Sequence, residues 1–259
     1  MSFAQLKDVR IRYEISGPSG APVLVFSNSL GAALSMWDAQ APVFASKFRV
    51  LRYDTRGHGQ SSVTPGPYTI EQLASDVLAL LDHLEMDRVC FCGLSMGGQT
   101  GMCIALNNSG RLHKLILSNT AAKIGTPEMW ATRIDAVRKG GMSSVSTAII
   151  ERWLSADFRA KSPGVAATTK LMVEAANPEG YVANCVAVGS YDVRHTVSAI
   201  RVPTLIIAGT HDAATTPSDG RYLAERIPAA RYVELNAAHL SNIESRERFN
   251  SELNTFLLA

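Results

Sequence analysis

Six short apolar segments recur along the chain, and stretches that fit helices lie between them. A strand that is apolar along its whole length must be covered on both faces, as in a parallel sheet flanked by helices. The pattern therefore predicts an α/β protein with a mostly parallel sheet and helices on both faces. The segments are residues 22–26, 50–53, 89–92, 115–117, 204–208 and 232–235.

The N-terminal segment differs from these six. Residues 9–15 alternate apolar and polar side chains, which is typical of a strand with one face on the core and one face in water. We therefore expect an antiparallel hairpin at one edge of the sheet.

A long helical region interrupts the alternation of strands and helices. Between the apolar segments 115–117 and 204–208 the sequence fits helices alone. We expect a core domain of residues 1–120 and 195–259, with residues 121–194 inserted as a helical cap. Such caps commonly cover the sheet edge at which ligands bind. The alternative is that these helices only extend the core.

Charge and hydropathy limit the classes of partner. The chain has 25 Lys and Arg against 23 Asp and Glu, so its net charge of +2 does not indicate binding to nucleic acid or to an anionic membrane. No apolar run is long enough to span a bilayer, and residues 1–8 lack the features of a secretory signal. We expect a cytoplasmic protein with a small-molecule partner, and the sequence leaves its oligomeric state open.

The cysteines do not indicate a disulfide framework or a metal site. Cys90, Cys92 and Cys103 lie in or beside apolar segments, which favours reduced residues in the core. The Cys-x-Cys spacing of the first two lacks the second pair that a structural metal site needs. We therefore predict no metal.

The motif Gly93-Leu94-Ser95-Met96-Gly97 follows a predicted buried strand and precedes a stretch that fits a helix. In this setting G-x-S-x-G is typical of a nucleophile elbow. The turn is so tight that a Cβ at either glycine would collide with backbone, while the serine is strained with its hydroxyl projecting. A structural turn without chemistry is the alternative.

A serine hydroxyl needs a base to become a nucleophile, and the base needs a carboxylate to orient it. Asp212 and His239 each come shortly after one of the last two apolar segments, so both side chains are expected at the carboxyl edge of the sheet. We predict the catalytic set Ser95, Asp212 and His239. His211 is the nearest rival as the base, but it shares a turn with Asp212.

An acyl-transfer site also needs main-chain donors for the oxyanion. These come from the residue after the nucleophile and from the loop after an early strand, which makes the amides of Met96 and Leu30 the candidates. Residues 28 and 29 are Asn and Ser, where many hydrolases have His-Gly. We therefore expect different hydrogen bonds to fix this loop.

With these residues placed, the chain resembles the α/β-hydrolase superfamily over its whole length, and within it the 3-oxoadipate enol-lactonases. The resemblance implies an eight-stranded sheet and hydrolysis of the enol-lactone ring to 3-oxoadipate in bacterial breakdown of aromatic acids, with no metal or organic cofactor. The turn at 54–59 is common across the superfamily, and we expect it to be structural. The segments that carry the resemblance are 27–31, 51–59, 93–98, 118–124 and 237–242.

The implied substrate carries a free carboxylate, and burying it unpaired would cost several kcal/mol. We therefore expect a basic residue from the cap to meet it. Arg133 is the candidate, since it lies one helical turn after Trp130, and Trp130 and Trp153 are candidate walls of the pocket. A solvated arginine and tryptophans that only pack in the core are the alternatives; Arg138 and Lys139 are weaker candidates for the cation.

Other functions remain compatible with the same residues. A general carboxylesterase, a C–C bond hydrolase or a cofactor-free perhydrolase would use the same triad, so only substrates separate these activities. A receptor with the hydrolase fold would bind a small molecule without turnover, and the intact triad argues against it. The charge is balanced and the sequence has no internal repeats, so neither feature supports a purely structural protein.

Overall fold

An eight-stranded sheet runs through the protein. The computed structural model describes all residues, 1–259. The strands are β1 (Ser2–Gln5), β2 (Arg10–Ser16), β3 (Val23–Ser27), β4 (Arg49–Tyr53), β5 (Val89–Leu94), β6 (Leu112–Ser118), β7 (Thr204–Gly209) and β8 (Arg231–Leu235). Their order in the sheet is β1-β2-β4-β3-β5-β6-β7-β8.

The strand directions confirm the predicted sheet. β1 and β2 form an antiparallel hairpin at one edge, and β2 is also antiparallel to β4. The remaining pairs, from β4 through β3 to β8, are all parallel. Every residue of β5 and β7 is buried, because both faces of the sheet are covered there.

Eleven helices accompany the sheet. Helix α3 packs against β5 and β6, and α9 packs against β7 and β8. The helices are α1 (Ala41–Phe44), α2 (Ile70–His83), α3 (Met96–Asn107), α4 (Pro127–Gly140), α5 (Ser143–Trp153), α6 (Ala156–Lys161), α7 (Pro163–Glu174), α8 (Pro178–Ser190), α9 (Pro217–Arg226), α10 (Ser241–Glu244) and α11 (Arg246–Leu258). Short 3-10 turns add Leu34–Trp37, Ser109–Arg111 and Val197–Ala199.

No helix has the length and apolar character that crossing a membrane requires. All four cysteines are free and buried.

Helices α4 to α8 lie between β6 and β7 in the chain. α4 packs against α5 and α8, and α5 packs against α7. The end of α5 is bonded to the segment after β8: the Leu240 amide donates to the Trp153 carbonyl (2.9 Å), and Glu244 accepts from the Ser155 amide at Oε2 (3.1 Å) and from the Ser155 hydroxyl at Oε1. The inserted helices are therefore joined to the sheet side of the molecule at this point.

The turn after β4, residues 54–59, is anchored by a buried ion pair. The side chain of Arg56 is only 1% exposed, and its Nε and Nη2 donate to the two carboxylate oxygens of Asp76 on α2 (2.7 and 2.6 Å). Nη1 also donates to Asp8 (3.0 Å). These bonds join the turn to α2 and to the N-terminal hairpin.

We expect Asp76→Asn to lower the free energy of unfolding by about 3 kcal/mol, because it removes the buried counter-charge of Arg56 and leaves only the exposed Asp8 as its ionic partner. Urea denaturation measures the change. The matched control is Asp157→Asn, which breaks an exposed pair with Lys161 (2.8 Å) and should cost less than about 0.5 kcal/mol. Equal losses in the two variants would show that Arg56 does not depend on Asp76.

Candidate active site

Strand β5 ends in a tight turn that leads through Ser95 into helix α3. Ser95 has φ 58° and ψ −113°, a conformation that residues other than glycine rarely adopt. A Cβ on Gly93 would lie 2.1 Å from the carbonyl oxygen of Gly97, and a Cβ on Gly97 would lie 2.4 Å from that of Ser27. Both neighbours are backbone atoms that cannot move aside, so this turn requires glycine at both positions.

Asp212 follows β7 and accepts hydrogen bonds at both carboxylate oxygens. Oδ1 accepts from the amides of Ala214 (2.8 Å) and Thr215 (3.0 Å). Oδ2 accepts from His239 Nδ1 (2.8 Å), Asn119 Nδ2 (3.0 Å) and Thr215 Oγ1 (2.8 Å). Burial opposes ionisation, but the charge of His239 and these hydrogen bonds outweigh it and lower the pKa of Asp212 to about 2.

His239 follows β8 and is 2% exposed. An ionised carboxylate can only accept, so the bond to Asp212 places a proton on Nδ1 of His239. In the neutral ring the other nitrogen, Nε2, is then free to accept a proton. His239 and Ser95 line the same cavity. No hydrogen bond joins them in this structure, and in catalytic sites this contact often tightens only when substrate binds.

Asn119 is a site residue that the sequence reasoning did not assign. Its Oδ1 accepts from the hydroxyls of Ser118 (2.9 Å) and Ser241 (2.5 Å). This fixes the orientation of the amide, so Nδ2 donates to Asp212. Its position directly after β6 could have been a signal, because β6 and β7 are neighbouring parallel strands that end at the same edge.

Of the two predicted main-chain donors, Met96 lies in the elbow and Leu30 lies in the loop after β3. The Leu30 amide has no acceptor within the protein. Met96 is the first residue of α3, and amides in the first turn of a helix have no acceptor within that helix. Both amides are therefore available to an oxygen outside the chain.

Asn28 fixes the loop of residues 28–34, which we call the β3 loop. Its side-chain amide donates to the Tyr53 carbonyl (2.9 Å) and accepts from Trp37 Nε1 (3.0 Å). Its own carbonyl accepts from the Gly97 amide (3.0 Å). These bonds join the loop to β4 and to the elbow. Asn28 thus holds the loop at a position where many hydrolases have the His of a His-Gly pair.

A cavity of about 210 Å³ connects these groups with the inserted helices. It is smaller than the roughly 300–1,000 Å³ of pockets for drug-sized ligands, so it suits a small molecule. A larger, open groove beside α7 and α11 contains none of the predicted site residues. The predicted residues that line the cavity are Leu30, Ser95, Trp130, Arg133, Trp153 and His239.

The remaining predicted residues lie just outside the lining. Asp212 is not among the lining residues and contacts the cavity through His239, while Met96 would contribute only its main-chain amide. Trp130 and Trp153 are each 5% exposed, so they belong to the core and also form the cavity wall. The structure thus brings together the residues of the predicted site from both the sheet and the inserted helices.

Two arginines give the cavity a positive charge. Arg133 on α4 and Arg152 on α5 both line it, and neither forms an ion pair with a carboxylate. Desolvation and the like charge of Arg133 both lower the pKa of Arg152. The guanidinium of Arg133 also lies 5.0 Å from the ring centre of Trp130. Two unpaired cations at one cavity create a site for an anion.

The lining residues that the sequence did not predict include Arg152 and Tyr181. Burial raises the pKa of the Tyr181 hydroxyl, and the neighbouring Arg133 opposes this rise. Arg152 directly precedes Trp153, but consecutive residues of a helix point in different directions, so this adjacency carries no signal. Only the packing of α5 and α8 shows which of their residues face the cavity.

The site contains no cluster of three or more His, Cys, Asp or Glu side chains that could hold a metal ion. Its polar groups include the hydroxyl, imidazole and carboxylate of the predicted triad, two main-chain donors and two guanidinium groups. This set can deprotonate an alcohol, stabilise an oxyanion and bind an anionic substituent.

Three known proteins resemble this chain over nearly its whole length, and a model of the alpha/beta hydrolase fold matches residues 22–148. The 3-oxoadipate enol-lactonase 2 of Acinetobacter baylyi is 42% identical over 244 residues, 94% of this chain and 91% of that protein. The crystal structure of the enol-lactonase from Burkholderia xenovorans LB400 has a TM-score of 0.98 and 46% identity, covering all of both chains. A malate-bound esterase from Thermogutta terrifontis has a TM-score of 0.93 and 29% identity, covering 99% of this chain and 98% of its own.

The lowered pKa of Asp212 leads to a testable prediction about how the free energy of unfolding depends on pH. Its folded-state value of about 2 lies below its ordinary value of 3.8, so the ionised carboxylate stabilises the folded protein at higher pH, and this contribution is lost as the pH falls through about 2. We expect the difference in free energy of unfolding between the wild type and Asp212→Asn to shrink as the pH falls from about 4 to about 2. Urea denaturation across this range measures it. A difference independent of pH would contradict the lowered pKa.

Proposed function

The chain belongs to the α/β-hydrolase family and, within it, to the group of the 3-oxoadipate enol-lactonases, and from this premise we propose that it hydrolyses 3-oxoadipate enol-lactone to 3-oxoadipate. One observation carries the proposal. A small cavity is lined by Ser95, by His239 bonded to Asp212, and by the unpaired cations Arg133 and Arg152. An ester with a carboxylate substituent matches this combination.

In the first half of the reaction, His239 Nε2 removes the proton of Ser95, and Oγ attacks the carbonyl carbon of the lactone. The negative charge that develops on the carbonyl oxygen is stabilised by the amides of Leu30 and Met96, each worth about 3 kcal/mol if typical. Collapse of this intermediate breaks the ring C–O bond. The imidazolium of His239 returns its proton to the departing enol oxygen, and the enol becomes the ketone by tautomerisation.

In the second half, a water molecule replaces the serine. The enol fragment stays attached to the acyl group, because both come from one ring, so nothing leaves the cavity before water enters. His239 accepts a proton from the water as its oxygen attacks the ester of Ser95. As the intermediate collapses, the imidazolium of His239 returns the proton to Ser95 Oγ, and the new carboxylic acid of the product, 3-oxoadipate, ionises to a carboxylate.

Arg133 and Arg152 would bind the carboxylate that the lactone carries before ring opening. A carboxylate inside the cavity would otherwise be desolvated without a partner, which costs several kcal/mol. Arginine pairs with carboxylates through parallel hydrogen bonds, so it fixes orientation as well as charge. This contact would align the ring carbonyl with Ser95.

Residues 121–194 would act as a cap over this site, and residues 1–120 and 195–259 as the core that carries the triad. Support comes from the origin of the lining. Arg133, Arg152 and Tyr181 lie on three different inserted helices, whereas Ser95 and His239 follow strands of the sheet. In this division the core performs the hydrolysis and the cap selects the substrate.

We expect Ser95→Ala to lower turnover of the enol-lactone at least about 10³-fold while the melting temperature stays unchanged, because only a hydroxyl is removed. Loss of the ultraviolet absorbance of the enol-lactone measures turnover. The exposed Ser46 provides the control Ser46→Ala, which should keep full activity. Labelling by a fluorophosphonate should require Ser95, and retained turnover in Ser95→Ala would refute the assignment.

We expect Arg133→Ala to lower kcat/KM for the acidic lactone about 10- to 100-fold, the loss of a hydrogen bond to a charged group. Hydrolysis of a neutral aryl ester should change less than about threefold. Arg138→Ala is the matched control, since Arg138 is exposed on the same helix and does not line the cavity. Equal losses on lactone and ester would contradict a role in binding the carboxylate.

A further inference from the structure

The turn of residues 54–59, which we call the β4 turn, holds the β3 loop at two points. His58 Nε2 accepts a hydrogen bond from the Gly31 amide (2.7 Å). Asp54 Oδ1 accepts one from the Leu34 amide (2.7 Å). All these groups are buried. The sequence predicts a structural turn here, and in the structure the turn contacts the segment that carries the Leu30 amide.

The hydrogen bond from Gly31 defines the protonation of His58. Because Nε2 accepts, the proton of the neutral ring lies on Nδ1, which is 3.4 Å from the Arg56 carbonyl. Burial lowers the pKa of His58 to about 4, and the contact with the Arg56 carbonyl only partly opposes this. The ring is therefore neutral, and Nε2 is an acceptor, near pH 7.

The β4 turn is held in place from the other side by helix α8. The side-chain amide of Asn184 donates to the Arg56 carbonyl (2.9 Å). A Cβ on Gly180 would lie 2.2 Å from the carbonyl oxygen of Gly57, so α8 and the turn touch through their backbones. His58 is thus fixed between α8 and the β3 loop.

Gly31 is confined on two sides. Its φ is +88°, which favours glycine, and a Cβ at this position would lie 3.0 Å from the ring of Tyr181 on α8. The Tyr181 ring limits movement of the Gly31 Cα, while His58 holds its amide. A rotation of the neighbouring Leu30 amide that moves Gly31 would therefore strain the bond to His58.

We propose that His58 is a positioning residue that fixes the Leu30 amide in the direction of the oxyanion. The Gly31 amide and the Leu30 amide are consecutive donors separated by a single Cα. Holding the first at Nε2 of His58 fixes the second, so it needs no reorientation when charge develops on the substrate oxygen. The proposal rests on the serine hydrolysis proposed above, and it does not depend on which ester is hydrolysed.

The test compares His58→Leu with His58→Gln on a neutral aryl ester. Leucine has no acceptor for the Gly31 amide, whereas the Oε1 of glutamine can take the place of Nε2. We expect His58→Leu to lower kcat about tenfold or more and to change KM by less than about twofold. This loss of kcat is smaller than the roughly 10²–10³-fold loss that follows removal of an oxyanion donor, because the Leu30 amide is still present. We expect His58→Gln to restore kcat to within about threefold of the wild type.

A second measurement uses phenylboronic acid, whose adduct with Ser95 places an oxygen where the oxyanion forms. Its affinity should fall in parallel with kcat in His58→Leu and recover in His58→Gln. The exposed His113 gives the matched control His113→Leu, which should leave kcat and affinity unchanged. A His58→Leu protein that is folded and keeps kcat within threefold of the wild type would overturn the proposal, as would equal losses in the leucine and glutamine variants.

The wild-type protein provides a readout that does not require a folded variant. Nitrogen-15 NMR of the histidine side chains at pH 7 should show His58 as the neutral tautomer with its proton on Nδ1. A proton on Nε2 would overturn the proposal, because the Gly31 amide would then face a donor. Wild-type protein that hydrolyses the aryl ester but not the enol-lactone would contradict the proposed substrate and leave the His58 test intact.

Discussion

Six strands, β3 to β8, run in the same direction and therefore end at one edge of the sheet. Each end contributes to the site: β3 leads to the loop of Leu30, β4 to His58, β5 to Ser95, β6 to Asn119, and the last two strands to the acid and the base. Residues from distant parts of the chain meet there because parallel pairing fixes both the spacing and the height of the strand ends. The functional groups need no further device to bring them together.

The charged groups of the site differ in how the chain neutralises them. Asp212 is surrounded by donors at both oxygens, so its charge is stabilised entirely from within. Arg133 and Arg152 receive no carboxylate from the chain, although they lie close enough for one charge to lower the pKa of the other. The first arrangement holds a catalytic group in one orientation, while the second leaves binding energy for an anion from outside.

Much of the fold and of the site can be predicted from the sequence, because both depend on local patterns. Apolar runs indicated the parallel strands, and alternation indicated the hairpin. G-x-S-x-G indicated the turn at Ser95. The acid and the base were indicated by their positions after the last two strands. Arg152, Tyr181 and His58 could not be found in this way. Their roles depend on helix rotation, on the direction of an amide and on contacts between loops, and none of these leaves a periodic signal in the sequence.

Three hydrogen bonds join the end of α5 to the segment that carries His239. Lifting the inserted helices as one rigid body would break all three, at a cost of roughly 3 kcal/mol, and would pull the base away from the nucleophile. Helix α8 is also held to the β4 turn, through Asn184 and through the backbone of Gly180. A substrate that enters without breaking either attachment leaves the base in register with Ser95.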